Sequence, residues 1–174
     1  MYLIIIGTNR KNSVSNKLAQ YYKSLLTEHG HEAQVLDLEQ LPADFAFAAL
    51  YENSGKNVDF SPFQAQIDAS NKIVFIAPEY NGSFPGVLKT FIDGLRYPDT
   101  FRNKKAALVG LSAGVQGNAT GLSHLNDILS YSGCHVLAQR VQLGLIKQHF
   151  DGEAFSFAIY KKLIDQQVEA LIGF

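Results

Sequence analysis

The sequence predicts an α/β fold: a doubly wound, five-stranded parallel sheet in the order 2-1-3-4-5, with helices on both faces. Short apolar runs, many of them β-branched, recur at YLIIIG (2–7), AQVLDL (33–38), KIVFIAP (72–78), AALVGLSA (106–113) and CHVLAQ (134–139). Several of these runs lack apolar–polar alternation, as strands buried on both faces do. Helical spacing fills the gaps between them, and strands alternating with helices imply a parallel sheet covered on both sides.

The elements follow in order. After the first run, Leu18, Tyr21, Tyr22, Leu25 and Leu26 share one helical face. The second run leads into residues 39–61, a connection long enough to be functional or mobile, and then into a short helix. Phe45, Phe47, Tyr51 and Phe60 lie in that connection. Either they tie it to the core, or some of them cover a ligand or a partner subunit. After the third run, Val87, Leu88, Phe91, Ile92 and Leu95 form a helical face, and after the fourth so do Leu122, Leu125, Ile128 and Leu129. Residues 140–152 break the rhythm before a last helix carrying Phe157, Tyr160, Leu163, Ile164, Val168 and Leu171. Right-handed crossovers then make the 2-1-3-4-5 order the natural topology.

Composition narrows the class. The 174 residues fit one domain, 1–174, with a sizeable core. A formal net charge of −1 gives no support for nucleic-acid binding. Cys134 is alone, so neither an internal disulfide nor a CxxC pair exists. His29, His31, His124, His135 and His149 have no ligand spacing, and no metal site is expected. The N-terminus lacks a signal-peptide layout, and no apolar run approaches about 18 residues. A cytoplasmic protein without membrane contact is the expectation.

Ligands of doubly wound sheets sit beyond the carboxyl ends of the strands, near the switch in strand order. The loop after the first strand, GTNRKNSVSNKLA, brings Thr8, Asn9, Arg10, Asn12, Ser13, Ser15 and Asn16 to that edge. A helix starting near Val14 to Asn16 would add unpaired N–H groups and a partial positive charge, which suits a phosphate. The alternative is a polar turn with Ser13 or Ser15 as a helix cap. Neither GxxxxGK[ST] nor a GxGxxG after a strand is present, so the two best-known phosphate loops are absent. The third strand ends in PEYNGSFPG, where Ser83 is a candidate cap and Pro85 suits a first helical turn. SAGVQGNATG ends the fourth. These two loops have little side-chain bulk and many N–H groups, which suits a flat ring held at its edges by backbone, although each also reads as plain turn chemistry.

GTNRKNSVSNKLA, PEYNGSFPGVLKTFIDGL and SAGVQGNATG together resemble the three signature loops of the NAD(P)H-dependent FMN reductase family, over nearly the whole chain. The resemblance implies a flavodoxin-like fold, bound FMN, and NAD(P)H as co-substrate. Electrons would pass to a small acceptor such as a quinone, free flavin, azo compound or metal oxyanion. By position, Thr8, Arg10, Ser13, Ser15 and Asn16 would hold the FMN phosphate. Pro78, Glu79, Tyr80, Asn81 and Gly82 would line the isoalloxazine, with Ser112 and Gly114 at its other edge. Because a flavin carries the chemistry, no side chain is required as acid, base or nucleophile. The backbone of Asn81 and Gly82 would tune flavin N5, and backbone N–H groups of 112–117 would stabilise charge at the N1–C2 carbonyl edge. Glu79 would contact the flavin or brace its own loop. A homodimer or homotetramer is implied too. The competing class is a flavodoxin-type FMN electron carrier without NAD(P)H activity of its own, against which the near-neutral charge and the absence of tryptophan count.

Overall fold

The computed structural model describes residues 1–174. Strands β1 (Tyr2–Ile6), β2 (Ala33–Asp37), β3 (Lys72–Pro78) and β4 (Lys105–Leu111) pair in parallel in the order β2-β1-β3-β4. The fifth position is shared by β5 (His135–Val136) and β6 (Val141–Leu143), both parallel to β4. The predicted strand order therefore holds, with one correction: the fifth strand is broken. Lys105 pairs with His135 and Val109 with Val141, so four residue steps on β4 are matched by six on its neighbour. The extra length bulges out between Leu137 and Arg140.

A side chain replaces the hydrogen bonds lost at the bulge. Gln167 is fully buried on the last helix, and its amide donates to the Leu108 carbonyl (3.0 Å) and the Gln139 carbonyl (2.8 Å). Its own oxygen faces the Tyr22 hydroxyl at 3.4 Å. Buried carbonyls without a partner are costly, and this one residue covers the buried Leu108 carbonyl and the half-buried Gln139 carbonyl.

The sheet has a core on each face. Leu3, Ile5, Phe75 and Leu108 point toward helices α3 (Ser61–Asp68), α4 (Gly86–Gly94) and α5 (Ala119–Tyr131). Tyr2, Ile4, Ile6, Val74 and Val109 point toward α1 (Val14–Glu28) and α7 (Ala158–Gly173). Successive residues of a strand face opposite sides, so strands apolar throughout supply both cores at once. β2 departs from this pattern: it lies at the sheet edge and is only partly buried. The predicted apolar helical faces are the buried ones: Leu18, Tyr22, Leu25 and Leu26 on α1, Leu88 and Phe91 on α4, Leu122, Leu125 and Leu129 on α5.

Residues 39–61 contain one short helix, α2 (Phe45–Ala48), flanked by 3-10 turns at Leu38–Gln40 and Tyr51–Asn53. Its aromatics divide. Phe45 and Phe60 are buried in the core beside α4, with their rings stacked 6.4 Å apart. Phe47 and Tyr51 are 86% and 82% exposed. The core-tethering alternative is correct for the first pair only. A further helix, α6 (Ile146–His149), follows β6.

Candidate active site

β1 and β3 are neighbours whose following chains leave on opposite faces, α1 on one side and α4 on the other. A cleft of about 450 Å³ opens at their carboxyl ends, within the roughly 300–1,000 Å³ usual for small-molecule sites. Of the residues anticipated from sequence, Thr8, Arg10, Ser13, Ser15, Pro78, Glu79, Tyr80 and Ser112 line it. Asn16, Asn81, Gly82 and Gly114 do not. No residue of 39–61 lines it either, so that connection does not cover the site.

The first loop forms one end. Ser13 caps α1: its Oγ accepts from the Asn16 N–H at 3.1 Å. Ser15, almost fully buried, has a hydroxyl with no protein partner. The N–H groups of Asn9, Lys11, Asn12, Ser13, Val14 and Ser15 donate to no protein acceptor. Arg10 and Lys11 are exposed and form no ion pair within the chain. Cap and free donors therefore coexist: one hydroxyl starts the helix, while the other lines the cleft beside a set of unpaired N–H groups. Asn16 is turned away, its amide donating to Asp37 Oδ2 at 2.8 Å and joining α1 to the end of β2.

The second loop is a tight hairpin. Tyr80 and Ser83 exchange backbone hydrogen bonds of 2.8 and 3.1 Å. Between them Asn81 and Gly82 both have positive φ, 51° and 76°. That is the Asn-Gly turn favoured by two-residue hairpins, and it leaves the N–H groups of Asn81 and Gly82 without a protein acceptor. Ser83 does not cap α4, since its hydroxyl meets His124 Nδ1 at 2.9 Å, and Pro85 occupies the cap position. The Tyr80 hydroxyl reaches Thr8 Oγ1 at 2.9 Å and ties the second loop to the first. Glu79 lines the cleft, and its carboxylate makes no hydrogen bond or ion pair, so it does not brace its loop.

The third loop, 112–118, holds itself in shape. Ser112 Oγ donates to the Gly114 carbonyl (2.7 Å) and accepts from the Gly117 N–H (2.9 Å). The N–H groups of Ala113, Gly114, Val115 and Gln116 stay unpaired. A fourth segment was not anticipated. Ile146 and Lys147 of α6 line the cleft, fastened by Leu145 N–H to the Gly114 carbonyl (2.7 Å) and Ile146 N–H to the Ser112 carbonyl (3.1 Å). The sequence marked 140–152 as irregular, but its apolar pattern ended the fifth strand at residue 139, short of the segment that reaches the site.

A match to the family model for NADPH-dependent FMN reductase spans residues 2–147, which contain all of these loops. The chain belongs to that family. Among curated members, it is 34% identical over 137 residues to an NAD(P)H-dependent FMN reductase of Pseudomonas aeruginosa, covering 74% of each chain. It is 32% identical over 130 residues to an FMN-dependent NADPH-azoreductase of Staphylococcus saprophyticus, covering 73% of this chain and 68% of that one. The fold is also that of the flavoenzyme NAD(P)H:(acceptor) oxidoreductase FerB of Paracoccus denitrificans, with a TM-score of 0.78, 24% identity, and coverage of 99% and 94%. A short-chain flavodoxin shares it more distantly, with a TM-score of 0.61 and 14% identity. Membership of the family and the flavodoxin-like architecture are thus both borne out.

Proposed function

We propose that this reductase-family chain binds FMN in the cleft, accepts hydride from NAD(P)H, and passes electrons to a small acceptor: a quinone, free flavin, azo compound or metal oxyanion. The observation that carries the reading is the division of donors within one cleft. One end gathers a helix N-terminus, the free Ser15 hydroxyl and Arg10. The other end is walled by Pro78, Tyr80, Leu111 and Ile146 with the Ala113 N–H free, and the unpaired N–H groups of Asn81, Gly82 and 114–116 lie on the adjoining loops just outside it. That pattern fits a molecule with a phosphate at one end and a polar-edged ring at the other. The electron-carrier alternative is not favoured, because the curated relatives carry reductase and azoreductase names.

When bound, FMN supplies reversible two-electron hydride chemistry at its ring. Ser13, Ser15, Arg10 and the α1 N-terminus would hold the phosphate. Thr8 serves this end indirectly, since its hydroxyl bridges the Arg10 N–H and Tyr80. Asn16 would act by fixing the start of α1 against Asp37. Pro78, Glu79 and Tyr80 would line the ring, with the Asn81 and Gly82 N–H groups directed at its polar edge. Ser112 would shape the 112–117 loop, whose free N–H groups stabilise negative charge in the manner of an oxyanion hole. The Gly114 carbonyl anchors α6 beside that loop.

Exposed Phe47 and Tyr51 support association into a homodimer or homotetramer, two-fold pairing being the default. No helix is long and apolar enough to cross a membrane, and a cytoplasmic setting fits a chain that draws on NAD(P)H. Donor and acceptor would use the same open face in turn. Steady-state kinetics with NADPH and two quinones of different size should therefore give parallel double-reciprocal lines. Intersecting lines would mean a separate second-substrate pocket and would overturn the shared-face reading.

A further inference from the structure

Asn118 precedes α5 and is only 1% exposed. Its backbone is left-handed, with φ at 64°, a region that asparagine enters more readily than other non-glycine residues. Its side-chain oxygen, Oδ1, is buried without a hydrogen-bond partner, the one such side-chain atom in the chain. A helix-capping asparagine would turn that oxygen to the N–H groups of its own helix, and Asn118 makes no such bond.

What the orientation provides is a cross-link. The amide nitrogen donates to the carbonyls of Ala77 (2.9 Å) and Pro78 (3.2 Å), the last two residues of β3. Two carbonyl acceptors fix which end of the amide faces β3, because the opposite flip would set oxygen against oxygen. Immediately after Pro78 come Glu79 and the Tyr80–Ser83 hairpin. Before Asn118, with only Gly117 between, come the free N–H groups of 113–116. The two loops proposed to face the flavin ring are thus joined through this side chain. The first turn of α5 is seated closely enough to keep them so: a Cβ on Gly121 would clash with Asn118 Oδ1 and lie 2.6 Å from the Phe84 nitrogen.

We propose that Asn118 is a positioning residue that holds both ring-facing loops in register, so that their free N–H groups converge on the ring and favour its electron-rich reduced form. This rests on the FMN reading above and extends it. Groups directed at the ring tune its electronics, so loosening them should alter the midpoint potential as well as affinity, whereas a contact needed only for folding would leave the potential alone.

The test compares wild type with Asn118→Gly, which keeps the left-handed backbone and removes the amide, and with Asn118→Asp, which keeps the shape but faces oxygen to the two carbonyls. FMN binding is measured by calorimetry, and the potential of bound FMN by equilibrium redox titration. Asn118→Gly should weaken FMN binding about tenfold and move the potential about 30 mV negative, the two-electron equivalent of a tenfold change. Asn118→Asp should shift both further. Arg10→Ala should weaken binding with the potential unmoved. If Asn118→Asp does not fold, the glycine variant decides alone. A wild-type potential in Asn118→Gly would overturn the positioning role. Failure of the wild-type chain to bind FMN would instead overturn the functional reading beneath it.

Discussion

Replacing Gln167 by leucine should destabilise the protein substantially, although leucine is the more apolar residue and the site is fully buried. The Leu108 and Gln139 carbonyls, held at 3.0 and 2.8 Å, lose their donor in the variant. The buried Leu108 acceptor left unpaired costs about 1–3 kcal/mol, and the half-buried Gln139 acceptor about half of that. Burial of the leucine side chain returns about 1–2 kcal/mol. At mid-range the net loss is about 1.5 kcal/mol. With a urea m-value of about 2 kcal/mol/M for a chain of this size, the unfolding midpoint should fall by roughly 0.8 M. Tyr22→Phe removes only the long 3.4 Å contact and should cost well under about 1 kcal/mol. The assay is equilibrium urea unfolding followed by circular dichroism. An unchanged midpoint in Gln167→Leu, with unchanged m, would refute the idea that this side chain stands in for the missing strand pairing. FMN affinity should fall as well, because the bulge sets the register from which β6 and α6 reach the cleft.

Arg10→Ala should weaken FMN binding by about 1–3 kcal/mol, the scale of a charged hydrogen bond, and leave riboflavin binding unchanged in calorimetric titrations. Gly121→Ala should lower the thermal midpoint and the FMN affinity together, since the added carbon would lie 2.6 Å from backbone at both Phe84 and Ser83. Burial pushes the Cys134 thiol up to about 12, so the native protein should resist alkylation at pH 8, as followed by mass spectrometry, and react once unfolded. The same shift means that stability is lost as pH rises from about 9 toward 12, because only the unfolded thiol ionises readily in that window. Removing the exposed Lys89–Asp93 pair should change the urea midpoint by an amount equivalent to less than about 0.5 kcal/mol.

The strand order and the apolar face of each long helix were legible because burial on both sides of a sheet writes itself as uninterrupted apolar runs. The first loop was legible as a cluster of polar residues at a helix start and the second as a turn between strand and helix, but the Asn81–Gly82 hairpin within the second was not read from the sequence. The broken fifth strand was not: HVLAQRVQL carries apolar residues on both sides of the bulge, and the remedy, Gln167, lies on a distant helix where a lone glutamine signals nothing. Lys147 reached the cleft unannounced for the same reason. Asn118 stood in view within a glycine-rich motif, yet its bonds to Ala77 and Pro78 exist only once the third and fourth strands are side by side. Ser83 and Asn16 had the right chemistry for other tasks, and the fold gave their polar groups nearer partners in His124 and Asp37.

The most direct test of the account is anaerobic rapid mixing of the FMN-loaded protein with NADPH and, separately, with NADH, following loss of the flavin's visible absorption. The account predicts that at least one of the two reduces the bound flavin at a rate no slower than steady-state turnover with a quinone. Reduction by neither, in a protein whose chemically reduced flavin still passes electrons to an acceptor, would contradict it and leave an electron carrier in its place.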